Sequence, residues 1–157
     1  LIFYGIQFGI QLKTSQMDQR FAVFSAKATY QADLTDYWAH LDAFEKLPNS
    51  FSLATTEVGM PAALYPQHKI YDLAALNDPK LLAAGLSAAS VLKLCPADVI
   101  YMPHEHYFRF HQDLLTSQAF AQRYILLDKK AVKASMGVGI RRDSPFAPEL
   151  KRIFGIE

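Results

Sequence analysis

Short apolar runs separated by helix-start signals constrain this chain more than any other feature. Ser52 to Thr56, Lys69 to Leu73 and Asp98 to Met102 are too short for ordinary helices, are bounded by turn residues, and read as strands. Between the second and third stands Asn77-Asp78-Pro79. Asp78 can accept hydrogen bonds from the free N–H groups of a first helical turn, and Pro79 fits the first helical position. That helix is expected to end near Gly85, with a second running from a Ser87 cap to about Leu94.

The same pattern extends to both sides. Leu34, Tyr37, Trp38, Leu41, Phe44 and Leu47 recur at three- and four-residue steps, which predicts an amphipathic helix over 33–47, ended by Pro48-Asn49. Residues 20–30 suit a strand by FAVFSA and a helix by their Ala and Lys neighbours, and helix is preferred. Val58-Gly59-Met60-Pro61 opens a brief helical or irregular segment, stopping near Tyr65-Pro66. Helices are expected over 105–115 and from a Ser117 cap to Arg123. YILLD and SMGVGIR then form an antiparallel pair around Lys129-Lys130, and Ser144-Pro145 caps a last helix over 148–154. Alternation of this kind predicts an α/β fold: a two-layer or three-layer sandwich with a mainly parallel, Rossmann-like sheet and an antiparallel strand pair at one edge.

At 157 residues, with no repeat or low-complexity linker, the chain is expected to form one domain over 1–157. Sixteen basic and 15 acidic residues leave a net charge of +1, so no broad field attracts nucleic acid, and no nucleic-acid partner is expected. The single cysteine, Cys95, permits no internal disulfide and reads as a buried thiol. The opening LIFYGIQFGIQLK is shorter than the roughly 20 apolar residues that span a bilayer and lacks the layout of a signal peptide. Residues 1–12 are read either as a first buried element or as the stump of a preceding transmembrane helix.

Ligands of open parallel sheets bind outside the carboxyl ends of the strands. Glu57, Asp72 and His104 each fall at or just past such an end, so they are candidates to bind a sugar hydroxyl, a cation or a basic partner group, together with Asn77 and Asp78. The alternative is that the carboxylates hold their own turns by accepting from loop N–H groups.

MPHEHYFRFHQD supplies His104, Glu105, His106, His111 and Asp113, the segment with the most metal-like composition. An H-x-H pair on an extended segment can aim both imidazoles one way, as some zinc sites need. The HExxH spacing is absent, and on a helix His104 and His106 would diverge by about 200°. His104, His106 and His111 are therefore weak metal candidates, with surface or capping roles as the alternative. No phosphate-binding glycine loop and no nucleophile elbow occurs; Gly137-Val138-Gly139 lies inside a predicted strand, where it marks a bulge or close packing. No cofactor is expected.

TTEVGMPAALYPQHKIYDLAALND, residues 55–78, resembles a segment of the soluble C-terminal domains of polytopic GT-C type membrane glycosyltransferases, mannosyltransferase-like enzymes that use lipid-linked sugars. The likeness aligns Glu57-Val58-Gly59 with a first turn, Tyr65-Pro66 with a Tyr-rich middle, and Asp72 to Asp78 with a second turn. Ala75 stands where Gly is usual and Val58 where Ala is usual. The preceding helix and the DVIYMP strand follow the same order, so the outline covers most of residues 33–141 and the specific match about 24 residues. The resemblance implies a domain on the extracytoplasmic (periplasmic) side of a bacterial membrane, partnered by the transmembrane portion of its own parent chain and by a lipid-linked sugar or acceptor. It implies no catalytic residue here, because the catalytic acid of such enzymes lies in an early loop between transmembrane helices. Two rival expectations stand beside it: a free-standing α/β module that binds a sugar or nucleotide at the Glu57 and Asp72 edge, and a metal-dependent hydrolase built on the histidines.

Overall fold

The computed structural model describes residues 37–103, 105–127 and 137–156. The expected helix over 20–30, the segment 1–12, His104 and the Lys129-Lys130 turn lie outside the described residues. All of the described residues fall within one compact unit, Asp36–Glu157. No helix among them is long and apolar enough to cross a membrane.

The chain enters as helix α1, described over 37–44, whose Tyr37, Trp38, Leu41 and Phe44 are buried, as their spacing requires. Strand β1 (Ser52–Thr55) follows, then α2 (Gly59–Leu64), β2 (Lys69–Asp72), α3 (Pro79–Ala84), α4 (Ala88–Leu94) and β3 (Val99–Tyr101). A 3-10 turn, Glu105–Tyr107, leads into α5 (Phe108–Thr116) and α6 (Gln118–Arg123). The chain closes with β4 (Tyr124–Leu127), β5 (Val138–Arg141) and α7 (Ala147–Ile153). The fold is α/β around a five-stranded mixed sheet in the order β2-β1-β3-β5-β4.

β1 pairs in parallel with both β2 and β3, while β5 runs antiparallel to β3 and to β4. Four strands thus share one direction and β5 alone opposes them, which places the antiparallel β4–β5 pair at one edge. Because β2 lies on one side of β1 and β3 on the other, the strand order reverses between β1 and β3. A crevice at the carboxyl end of the sheet belongs at such a point.

Alternate residues of the strands face opposite ways. Ala54 of β1 and Ile100 of β3 join a core with Leu81, Val91, Phe110 and Phe120 from the helices between Asp78 and Tyr124. On the other side, Tyr101 meets Tyr37 at 4.8 Å and Phe154 at 6.1 Å between ring centroids, and Phe51 meets Phe44 at 5.3 Å. The central strands β1 and β3 are buried on both faces, which explains why they read as near-continuous apolar runs, whereas β2 and β4 at the edges are only partly buried.

The caps of α3, α4 and α6 are those the sequence predicts. Asp78 accepts from Lys80 N and Leu81 N, Ser87 and Ser90 form a reciprocal capping pair, and Ser117 Oγ accepts from Phe120 N. The last helix departs from expectation: it begins at Ala147, and Ser144 does not cap it. The Ser144 hydroxyl accepts from Phe146 N at 3.1 Å, just short of the helix, and donates to Asp98 Oδ1 at 2.8 Å in a charge-assisted bond. Gly139 marks close packing: a Cβ there would stand 3.1 Å from Phe120 Cζ, in a ring stacked against Tyr124 at 4.7 Å.

Candidate functional site

The carboxyl ends of the parallel strands are level. Thr55 pairs in register with Asp72 on one side and with Tyr101 on the other, so the turns that follow β1, β2 and β3 emerge along one edge. Glu57 follows β1 by two residues, Asp72 closes β2, and the 105–107 turn follows β3.

The first turn is pinned through its backbone. Tyr37, fully buried on α1, places its hydroxyl 2.9 Å from Thr55 Oγ1 and donates to the Glu57 carbonyl at 3.0 Å, while Glu57 N donates to Thr55 Oγ1 at 3.1 Å. Burial pushes the Tyr37 phenol well above its ordinary pKa, with the Glu57 charge adding to the same shift, so it stays a neutral hydrogen-bonding group. These bonds hold Glu57 by its main chain and leave its half-buried side chain at the edge. Thr56, between them, is 5% exposed, and its hydroxyl meets no partner among the described residues. A buried hydroxyl without a partner carries a desolvation cost of about 1–3 kcal/mol, which a bound polar group would relieve.

The second turn is held by its own acid. Asp72 Oδ1 accepts from Ala74 N at 2.9 Å, and Oδ2 accepts from Asn77 N at 2.8 Å and Asn77 Nδ2 at 3.3 Å. Asp72 is 6% exposed. With both oxygens engaged in its own loop it fixes the chain reversal that delivers Asp78 to the start of α3. Ala75 sits inside this loop with φ of 57°, a left-handed conformation that glycine adopts more readily.

Tyr107 completes the edge. Its phenol is raised above the ordinary value first by burial and then by the charges of Glu57 and Asp72. Three turns distant in sequence therefore share one electrostatic neighbourhood of negative sign. Cys95, fully buried, is pushed up to about 11 by burial, with the Asp78 and Asp72 charges adding to the shift, so its thiol is a packing group and not a nucleophile.

Of the residues singled out from sequence, Glu57, Asp72, Asn77 and Asp78 come to one edge; Asp72, Asn77 and Asp78 hold the loop and the helix start, and Glu57 has its side chain at the surface. His104 lies outside the described residues. His106 is on the 3-10 turn and exposed, whereas His111 on α5 is half-buried, and burial lowers its pKa. Asp113 accepts from Ala88 N at 2.5 Å, tying α5 to the start of α4. Among the described residues no three His, Cys, Asp or Glu side chains gather as a metal site. Thr56 and Tyr107 are edge residues that the sequence does not single out; Thr56 reads as one more strand residue, and Tyr107 as one more apolar helix position.

The opposite end of the sheet carries a buried ionic network. Asp98, 2% exposed, accepts from Ser52 N and Ser52 Oγ through Oδ2, and from Ser144 Oγ and Arg141 Nη2 through Oδ1. It joins the beginnings of β1 and β3 to the end of β5. Compared with known proteins, the chain matches no family model, no curated protein and no solved structure.

Proposed function

We propose that this chain is an extracytoplasmic α/β domain of a membrane glycosyltransferase-like protein, acting beside a membrane-embedded active site in its own parent chain rather than catalysing alone. The observation that carries the reading is the shared edge. The two acidic turns of the EVGM and DLAALND segments emerge side by side from adjacent parallel strands, and the second is closed by its own carboxylate. On this reading the residues that resemble a family segment form one surface, with Asp72 and Asn77 building it and Glu57, Thr56 and Tyr107 lying where a lipid-linked sugar or its acceptor would meet it. The packing of helices against both faces of the sheet supports a Rossmann-like, three-layer sandwich as the finer description of the fold.

The test is the natural reading frame upstream of Leu1. It is expected to encode several hydrophobic segments of membrane-spanning length, and protease added to intact spheroplasts is expected to reach this domain in the full-length protein. A frame without such segments, or a domain protected until the membrane is broken, overturns the proposal.

One observation favours a second reading, a small-ligand module at the same edge. The orphan Thr56 hydroxyl is buried next to the point where the strand order reverses. A ligand that binds only the folded chain raises its apparent stability, so a thermal-shift series with sugars, sugar phosphates and nucleotides separates the two readings. A shift abolished by Glu57→Gln favours the module.

A further inference from the structure

We propose that a cleft at the amino end of the parallel strands, far from the acidic turns in the topology, binds a phosphate-bearing ligand. It is lined by Leu92, Pro96, Gln122, Arg123, Tyr124, Arg141, Arg142 and Asp143 and encloses about 460 Å³. That volume lies within the range of small-molecule sites, roughly 300–1,000 Å³. It exceeds what a bare inorganic anion occupies, so the ligand has a body beyond its charged group.

The chemistry comes from two arginines held together. Arg142 N donates to the Arg123 carbonyl at 2.8 Å, which brackets the end of α6 against the end of β5. Arg142 Nε donates to the Ala121 carbonyl at 3.0 Å and Arg123 Nη1 reaches the Leu92 carbonyl at 3.5 Å. Each guanidinium has five N–H donors, and these contacts use one apiece. Among the described residues neither meets a carboxylate, whereas Arg141 is engaged by Asp98, Asp143 and the Pro96 carbonyl. Asp143 also lines the cleft with its side chain 87% exposed, and Arg123 and Arg142 are exposed as well, so water and salt weaken all three fields and the N–H geometry has to carry selectivity.

Two guanidiniums that line one cleft and meet no carboxylate among the described residues, each with its own fork of N–H donors, suit an oxyanion accepting paired N–H bonds. Three arginines against the Asp98 and Asp143 carboxylates leave the cleft net positive, and a phosphate monoester offers three acceptor oxygens to the two forks where a carboxylate offers two. Leu92 and Pro96 supply an apolar wall for the rest of the molecule. The site is independent of the proposed function, since it involves neither acidic turn.

The test follows backbone amide resonances of the 157-residue chain. Glucose 1-phosphate supplies a soluble phosphate ester, and phosphatidylcholine vesicles with and without phosphatidic acid supply a lipid headgroup. Acetate at equal ionic strength is the carboxylate control. Saturable shifts centred on Gln122 to Tyr124 and Arg141 to Asp143 are expected with a phosphate source, and the source that produces them says whether the phosphate is soluble or lipid-borne. The double variant Arg123→Gln, Arg142→Gln is expected to weaken binding about tenfold or more, while Lys80→Gln and Lys151→Gln leave it unchanged. Binding of acetate as tight as that of the phosphate, undiminished binding by the double variant, or no saturable shift with either source overturns the site.

Discussion

Asp98 and Arg141 meet at 2.7 Å across β3 and β5, and the carboxylate is almost wholly sealed from water while the arginine side chain is 26% exposed. The pair is therefore asymmetric: removing the acid leaves a cation that can rehydrate, and removing the cation leaves a buried carboxylate supported by two serines. Breaking a buried pair from one side costs about 3–5 kcal/mol. Asp98→Ala also strips Ser52 N and Ser144 Oγ of an acceptor, so the loss is expected near the middle of that range. Arg141→Met leaves the Asp98 carboxylate buried with only the Ser52 and Ser144 donors and falls in the same range, so the order of the two losses shows whether the lost acceptor or the stranded charge weighs more. Urea unfolding of both variants checks the order; a loss below about 1 kcal/mol for Asp98→Ala contradicts this account.

The Asp72 loop makes a second stability prediction. Asp72→Ala removes the acceptor for Ala74 N and for both donors of Asn77, and is expected to cost about 2 kcal/mol. Asn77→Ala removes only the 3.3 Å side-chain bond and keeps the backbone one, so it should cost under about 1 kcal/mol. If Asp72 were instead held for a ligand, Asp72→Ala would leave stability nearly unchanged. Denaturant midpoints of the two variants decide between these roles.

Elements whose signal is local were legible in the sequence. The caps at Asp78, Ser87 and Ser117 act within four residues of themselves, and the apolar strands β1 and β3 are buried on both faces, so propensity and pattern agree there. The antiparallel pairing of β4 with β5 was expected from two apolar runs around the polar Lys129-Lys130 turn. Long-range choices were not legible. Ser144 turns the chain just ahead of the last helix through Phe146 N, but the sequence does not reveal that its hydroxyl also reaches Asp98, 46 positions earlier. Arg123 and Arg142 likewise gain meaning only when β5 folds back beside the end of α6. Thr56 and Tyr107 were invisible as edge residues for the same reason: each belongs to a run whose apolar neighbours dominate the pattern.

Ala75 offers a test in which opposing terms nearly cancel. A left-handed backbone costs an L-residue roughly 1–2 kcal/mol, which glycine avoids. Against that, Ala75→Gly frees the unfolded chain by about 0.4–1 kcal/mol and removes a buried methyl of about 0.8 kcal/mol. The expected net change lies within about 0.5 kcal/mol of zero. Ala75→Val has no such balance, since a β-branched side chain resists this conformation, and should destabilise by more than about 1 kcal/mol. Thermal midpoints of the pair test whether the strain is real; equal tolerance of Gly and Val would show that it is not.

Stability should also fall on mild acidification, for a reason that His68 supplies. Its ring is 7% exposed and stands edge-on to Phe51 at 5.4 Å between centroids. Burial lowers its pKa, against smaller opposing pulls from the Phe44 backbone and the Glu45 charge. A folded-state pKa below the unfolded value of about 6.5 means that the unfolded chain binds more protons between the two. The stabilisation is therefore complete above about pH 6.5 and is lost as the pH falls from there toward the lowered value. His111 is shifted the same way by burial and adds to the slope. His68→Gln is expected to flatten the decline in urea midpoint between neutral pH and about pH 5, a window above the ordinary carboxylate range. Adding His111→Gln should flatten it further, and a slope unchanged in the double variant would rule out these two rings as its source.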